Sequence, residues 1–170
     1  ADKDNTGTAA QIRWSNDMIH NVLSIAGSDP SGGAGIQADL KTFSALGCYG
    51  MAAITALTAQ NTNGVTAVHI PPAEFAAQQI DAIFADIEVH AVKIGMLANA
   101  GIAAAVADRL AHHGARNIVL DPVLVATSGD SLGSPDVVDA IINRLFPLAT
   151  VITPNLPEAE RLSGITITEV

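Results

Sequence analysis

The chain is poor in cysteine, in aromatic residues and in positive charge. Cys48 is the one cysteine among 170 residues, so an intrachain disulfide framework is excluded and a reducing compartment fits. Between Gly47 and Tyr49 at a helix end, this thiol reads as a small core filler rather than a reactive group. Eight Lys and Arg are scattered against 17 Asp and Glu, giving a formal net charge of -9. No basic face is left for a phosphate backbone, so a nucleic-acid partner is not expected; one bound phosphate group would need only a local site. No apolar run approaches the roughly 18 residues that cross a bilayer, so no membrane partner is expected either. Ala1 to His20 lack the apolar stretch of a secretory signal and read as a disordered leader or cloning remnant, with Trp14 its one large apolar residue. The expected location is cytoplasmic.

What is abundant is the material of a packed core. Hydrophobic residues make up 49% and charged residues 15%, far from the composition of a disordered chain. Short apolar runs occur at Val22–Ala26, Met51–Leu57, Ala91–Ile94, Ile118–Leu120 and Val151–Ile152. Between most of them lie stretches of helical period. Ala76, Ile80, Ile83, Phe84 and Ile87 share one helical face, as do Ile102, Val106 and Leu110, then Val138, Ile141, Ile142 and Leu145. Ser134 before Pro135, and Asn99, stand at N-cap positions, while Gly47 and Gly114 stand where C-terminal glycines belong. Nearly unbroken apolar strands alternating with helices predict an α/β fold, a mostly parallel sheet with helices on both faces. Val65–Ile70 alternates more weakly and reads as an extra edge strand. A helix starts at Asn155–Leu162, and a sheet ending there has few strands and an exposed edge, so C-terminal strands and helices are expected to be missing.

Three familiar signatures almost appear. Gly27-Ser-Asp-Pro-Ser-Gly32-Gly33 follows a strand and opens a helix, but Gly33 and Ala34 stand where a Walker phosphate loop needs Lys and then Ser or Thr. Gly32, Gly33 and Gly35 miss dinucleotide spacing, and Gln60-Asn61 stands where an acidic ribose ligand would end the second strand. Gly129-Asp-Ser131-Leu-Gly133 spells a nucleophile elbow, yet no histidine follows Ser131 in the order that triad requires. His20, His69, His90, His112 and His113 lack zinc spacing. The last two, at a helix C-terminus, read as surface residues facing the dipole.

Five stretches in order carry a resemblance. They are the run from Ile25 through Ala26-Gly27-Ser28-Asp29 to Cys48, then Ala53 to Thr62 with Ala59-Gln60-Asn61, then Lys93-Ile-Gly95-Met96 and Asp121-Pro122-Val123, and last Thr153-Pro-Asn155-Leu-Pro-Glu158, spaced along the segment from Asn21 to Leu162. Together they resemble the hydroxymethylpyrimidine kinase family of the ribokinase superfamily. The resemblance implies a ribokinase-like fold, of which residues 21–170 would be the N-terminal part. It implies ATP- and Mg-dependent phosphorylation of 4-amino-5-hydroxymethyl-2-methylpyrimidine and of its monophosphate in thiamin biosynthesis. It also implies a homodimer. A pyridoxine-type kinase of the same superfamily, or a non-catalytic pyrimidine-binding fragment, is the rival reading.

Each implied site residue also has a plain physical reading. Gly32 and Gly33 allow backbone to approach a ligand, with the helix that begins there pointing N–H donors at it, or merely form a strand-to-helix turn with Asp29-Pro30; the resemblance also puts Gly27 and Gly33 at the substrate. Gln60 offers the donor and acceptor that an aminopyrimidine edge needs, or caps the sheet. Asp39 faces substrate or is a solvated charge. Met96 and Val123, placed at strand ends, wall a flat ring or pack as core. By the resemblance, Asp121 and Glu158 hold Mg²⁺, and Asn155 with Glu158 organises nucleotide phosphate. By pattern alone, Asn155 and Glu158 form a capping box. Catalytic residues are expected C-terminal to Val170, so none is assigned within the chain.

Overall fold

A computed structural model describes residues 18–124 and 134–168. In chain order their elements are β1 (Asn21–Ser28), α1 (Gly35–Ala45), β2 (Tyr49–Asn61), β3 (Gly64–His69), α2 (Ala73–Phe84), β4 (Ala91–Ile94), α3 (Ala100–His112), β5 (Ile118–Leu120), α4 (Pro135–Ala140), β6 (Val151–Ile152) and α5 (Leu156–Ser163). The strands make one sheet of order β3-β2-β1-β4-β5-β6. β3 is antiparallel to β2, and the remaining neighbours are parallel. The weakly alternating segment is therefore an edge strand.

Side-chain alternation decides which helix covers which face. Leu23 and Ile25 of β1, Met51 and Ala53 of β2, and Val92 and Ile94 of β4 join one core cluster with Ile80 of α2 and Ile102, Val106 and Leu110 of α3. The intervening residues turn to α1: Ser24 bonds Asp39, and a side chain on Gly50 would meet Leu40 and Phe43. The two faces differ in chemistry. One is aliphatic, and burying each of its large side chains is worth about 1.5–3 kcal/mol. The other is built of small and polar residues, so α1 lies close and polar groups gather beneath it.

Helix ends follow the sequence with some departures. Asn99 accepts the Ile102 N–H at 2.8 Å, and Gly47 and Gly114 take φ of 75° and 61°. Ser134 precedes Pro135 at the start of α4, but its side chain makes no capping bond. The apolar face from Val138 to Leu145 is not one α-helix: after Ala140 the backbone widens into a π turn over Ile141–Leu145 and tightens over Phe146–Leu148. The widened turn still buries Ile141 and Leu145.

Two expectations are corrected here. Cys48 is half-buried and lies outside the core cluster. His113 does not face solvent as a dipole partner. Its ring stacks on Phe84 with centroids 4.6 Å apart, and its Nε2 lies 2.7 Å from Asp81 Oδ1, pinning α3 to α2. The hydrogen bond from His113, with the Arg109 charge behind it, holds the Asp81 carboxyl below the usual carboxylate range. Residues 1–17, most of the expected leader, and the elbow-like segment with Ser131 lie outside the described residues. Among the described residues no helix is long and apolar enough to cross a membrane.

Candidate active site

From β1 the sheet grows in two directions: through β2 to one side, and through β4, β5 and β6 to the other. Order reverses between β1 and β4, and a cleft of about 370 Å³ opens there beyond the carboxyl ends of the strands. Open α/β sheets take ligands at such a switch point. The cleft gathers Gly27, Asp39, Gln60, Met96, Asp121 and Val123, six residues that the sequence pointed to. Met96 lies two residues past β4 and Val123 three past β5, so both belong to the loops that leave the strands.

Two irregularities aim the site. The β1–β2 register shifts between Ala26 and Gly27, and the β2–β3 register between Ala59 and Gln60. Bulges re-aim a side chain and bend a strand, and each of these falls on a cleft residue. Gln60 Oε1 lies 3.1 Å from the Thr58 hydroxyl, which also reaches the Ser28 carbonyl at 2.8 Å. A β-carbon on Gly27 would come within 2.6 Å of the Met96 methyl, so glycine leaves that wall to methionine.

The turn from β1 into α1 is built around one buried carboxylate. Asp29 is 3% exposed. Its Oδ1 accepts from the Ser31 N–H at 2.8 Å and the Ser31 hydroxyl at 2.7 Å; its Oδ2 accepts from Gly33 N–H at 3.0 Å and Ala34 N–H at 2.8 Å. These bonds, the Ser31 hydroxyl first, lower its pKa against the opposing effect of burial. Asp29 is thus more than a turn former. The amides of Gly33 and Ala34, expected to point at a ligand, donate to this side chain instead. Gly33 borders an adjoining recess of about 350 Å³ between the turn and the β2–β3 hairpin. α1 starts at Gly35, where φ is +55° and a β-carbon would lie 2.3 Å from the Gly27 carbonyl oxygen. Only glycine brings the helix that close to the strand.

A charged cluster that the sequence did not single out lies on the α1 side of the sheet. Ser24 donates to Asp39 at 2.6 Å. Lys93 places Nζ 3.3 Å from Asp39 and 3.7 Å from Asp121. Asp39 therefore faces the cleft and is not a solvated charge. The available signals were a serine inside the apolar β1 run and a lysine inside the four-residue β4.

Asn155 and Glu158 sit apart from the cleft lining. The Asn155 side chain accepts the Glu158 N–H and Glu158 Oε2 accepts the Asn155 N–H, both at 2.9 Å, a complete capping box. Glu158 is 4% exposed, and its Oε1 lies 3.4 Å from the Leu124 N–H. Both oxygens thus meet backbone donors, and the carboxylate ties α5 to the loop that carries Asp121 and Val123. Among the described residues no group of three or more His, Cys, Asp or Glu could hold a metal ion, and Asp121 and Glu158 are not brought into one.

A sequence model described as phosphomethylpyrimidine kinase matches residues 29–170. The hydroxymethylpyrimidine/phosphomethylpyrimidine kinase of Rhizobium meliloti is 61% identical over 147 residues, which are 86% of this chain and 55% of that protein. Among solved structures, phosphomethylpyrimidine kinase from Clostridium difficile superimposes with a TM-score of 0.83 at 50% identity, covering 88% of this chain and 65% of that one. A pyridoxal kinase from Staphylococcus aureus in complex with AMP-PCP and pyridoxal gives 0.78 at 37% identity, covering 90% and 55%. The chain spans about half the length of the curated relatives it matches. By its strand order, its switch-point cleft and a match running over most of its length, the chain belongs to the phosphomethylpyrimidine kinase family.

Proposed function

We propose that this chain carries the pyrimidine-binding half of an ATP-dependent kinase for 4-amino-5-hydroxymethyl-2-methylpyrimidine and its monophosphate. The observation that carries the reading is the convergence of Gln60, Asp39, Met96 and Val123 on one switch-point cleft. An aminopyrimidine presents an amine donor beside a ring-nitrogen acceptor. Gln60 can answer both, and Asp39 adds a second acceptor under α1. Met96 and Val123 supply apolar walls for the ring, and Gly27 keeps backbone within reach of it.

The cleft offers an acidic edge where phosphoryl chemistry would meet the pyrimidine alcohol. Asp121, with its side chain 36% exposed, fits a cation held directly or through its water shell. Mg²⁺ bound there would neutralise charge on the transferring phosphate. Glu158, with both oxygens met by backbone donors, would reach such a cation only through water; its proposed contribution with Asn155 is to fix the loop bearing Asp121. No catalytic base is assigned within these residues. Cytoplasmic location and a homodimer belong to the same reading. The higher identity to pyrimidine kinases than to pyridoxal kinase favours the pyrimidine over pyridoxal as substrate.

The test is coupled ADP release by a polypeptide of the relatives' length that contains these residues, beside a polypeptide of the 170 residues alone. The longer protein is expected to turn over the pyrimidine and its monophosphate in preference to pyridoxal, and the shorter to show no turnover. Preference for pyridoxal would replace the substrate assignment. Turnover by the shorter protein at roughly 1 per second or more would mean that the catalytic groups lie within it.

A further inference from the structure

Among the described residues that line the cleft Lys93 is the one cation, and neither the sequence pattern nor the proposed function gives it a task. It sits on the α1 side of β4, between Val92 and Ile94, which are buried on the other face. Its side chain is 24% exposed and lines the cleft. The ammonium lies 3.3 Å from each carboxylate oxygen of Asp39 and 3.7 Å from Asp121 Oδ2. Asp39 also takes the Ser24 hydroxyl at 2.6 Å. The fourth charge of the cleft, Asp29, is enclosed by its own turn and does not enter this cluster.

A second observation shows that the placement is built in. A β-carbon on Gly95 would lie 2.9 Å from Lys93 Nζ and 3.0 Å from the Ala26 β-carbon. Glycine at that position leaves the room into which the lysine head turns, and a side chain there would crowd it.

We propose that Lys93 is a positioning residue: one ammonium braces Asp39 on α1 and Asp121 on the loop after β5, fixing both carboxylates across the cleft. The consequence is for specificity. Asp39 serves as an acceptor for a ring amine only while its oxygens are held in one orientation. Ser24 alone grips one oxygen and leaves the other free to turn. With Lys93 bound as well, the carboxylate plane is set, and an N–H donor on the ring is preferred over a carbonyl, which would meet an acceptor with an acceptor. Without the ammonium, two carboxylates face one cleft with no charge between them, and each is free to swing toward solvent.

This inference rests on the pyrimidine reading of the cleft, and its test separates the two. Calorimetry is done on the full chain with two ligands, the 4-amino ring and its 4-oxo analogue, for the parent, Lys93→Met and Lys93→Arg. Thermal melting is followed in parallel. The parent is expected to bind the amino ring and to prefer it clearly. Lys93→Met should bind the amino ring about tenfold or more weakly and lose most of its preference over the oxo ring, with melting close to that of the parent. Lys93→Arg should restore much of both. Unchanged affinity and preference in Lys93→Met would overturn the proposal. So would an equal loss for both rings accompanied by lower melting, because a merely structural lysine would give that result. A parent that binds neither ring would overturn the reading of the cleft, and the proposal with it.

Discussion

Replacing Asp29 by asparagine removes half of the acceptor capacity at the centre of the turn that forms one wall of the cleft. Asparagine keeps one oxygen, enough for the Ser31 amide and hydroxyl, and turns its NH₂ toward the Gly33 and Ala34 amides, which then face a donor. Two charge-assisted bonds are lost, each worth about 1.5–3 kcal/mol, at a residue 3% exposed. Allowing for some relaxation of the turn, a loss of about 3 kcal/mol is expected. For a chain of this length that is roughly 6–12 °C in melting temperature. The pH dependence supplies a second check. The folded pKa of Asp29 is lowered, so its contribution to stability is full above the ordinary carboxylate value. It fades as pH falls through that value toward the lowered one. Urea unfolding at a series of pH values from about 7 to 3 should show the variant less stable at neutral pH, with a shallower loss of stability on the acid side. A variant within about 0.5 kcal/mol of the parent at pH 7, the range of an ordinary surface change, or with an equally steep acid limb, would refute the role given to Asp29.

Gln60→Ala should weaken pyrimidine binding by about 1–3 kcal/mol by calorimetry, because a ring edge loses its partner; unchanged affinity would remove Gln60 from the site. Gly35→Ala forces a β-carbon to within 2.3 Å of the Gly27 carbonyl at φ +55°, and should cost about 2 kcal/mol or more in urea unfolding. Parent-like stability would mean that α1 shifts freely at its start. Glu158→Gln leaves one acceptor where the Asn155 and Leu124 amides meet two, and should lower stability by about 1–3 kcal/mol. If stability holds while activity of the longer protein falls, Glu158 acts on metal or phosphate rather than through the loop.

The strands and the faces of α2 and α3 were legible because apolar periodicity directly reports burial on a sheet or helix. Ile102, Val106 and Leu110 read as a stripe and are buried as one. The cleft was legible in part, since Gly27, Gln60, Met96 and Val123 stand next to strand ends whose order the α/β pattern implies. Other features escaped because they depend on which strands are neighbours. Nothing local in Val92-Lys93-Ile94 says that the lysine meets Asp39, 54 residues earlier. Asp29-Pro30 looks like any turn until its carboxylate is seen to collect the amides of Ser31, Gly33 and Ala34. His113 reads as a helix-end cation until Phe84 and Asp81 are seen beside it. The π turn after Ala140 keeps an apolar spacing that an α-helix would share, so periodicity could not reveal it.

A crystal structure of the protein with bound 4-amino-5-hydroxymethyl-2-methylpyrimidine tests the account most directly. The ring is predicted to lie in the switch-point cleft between Met96 and Val123, with its amino edge within hydrogen-bond distance of Gln60 and Asp39. A ring bound outside that cleft, or seated in it with its amino edge turned away from both residues, would contradict the account.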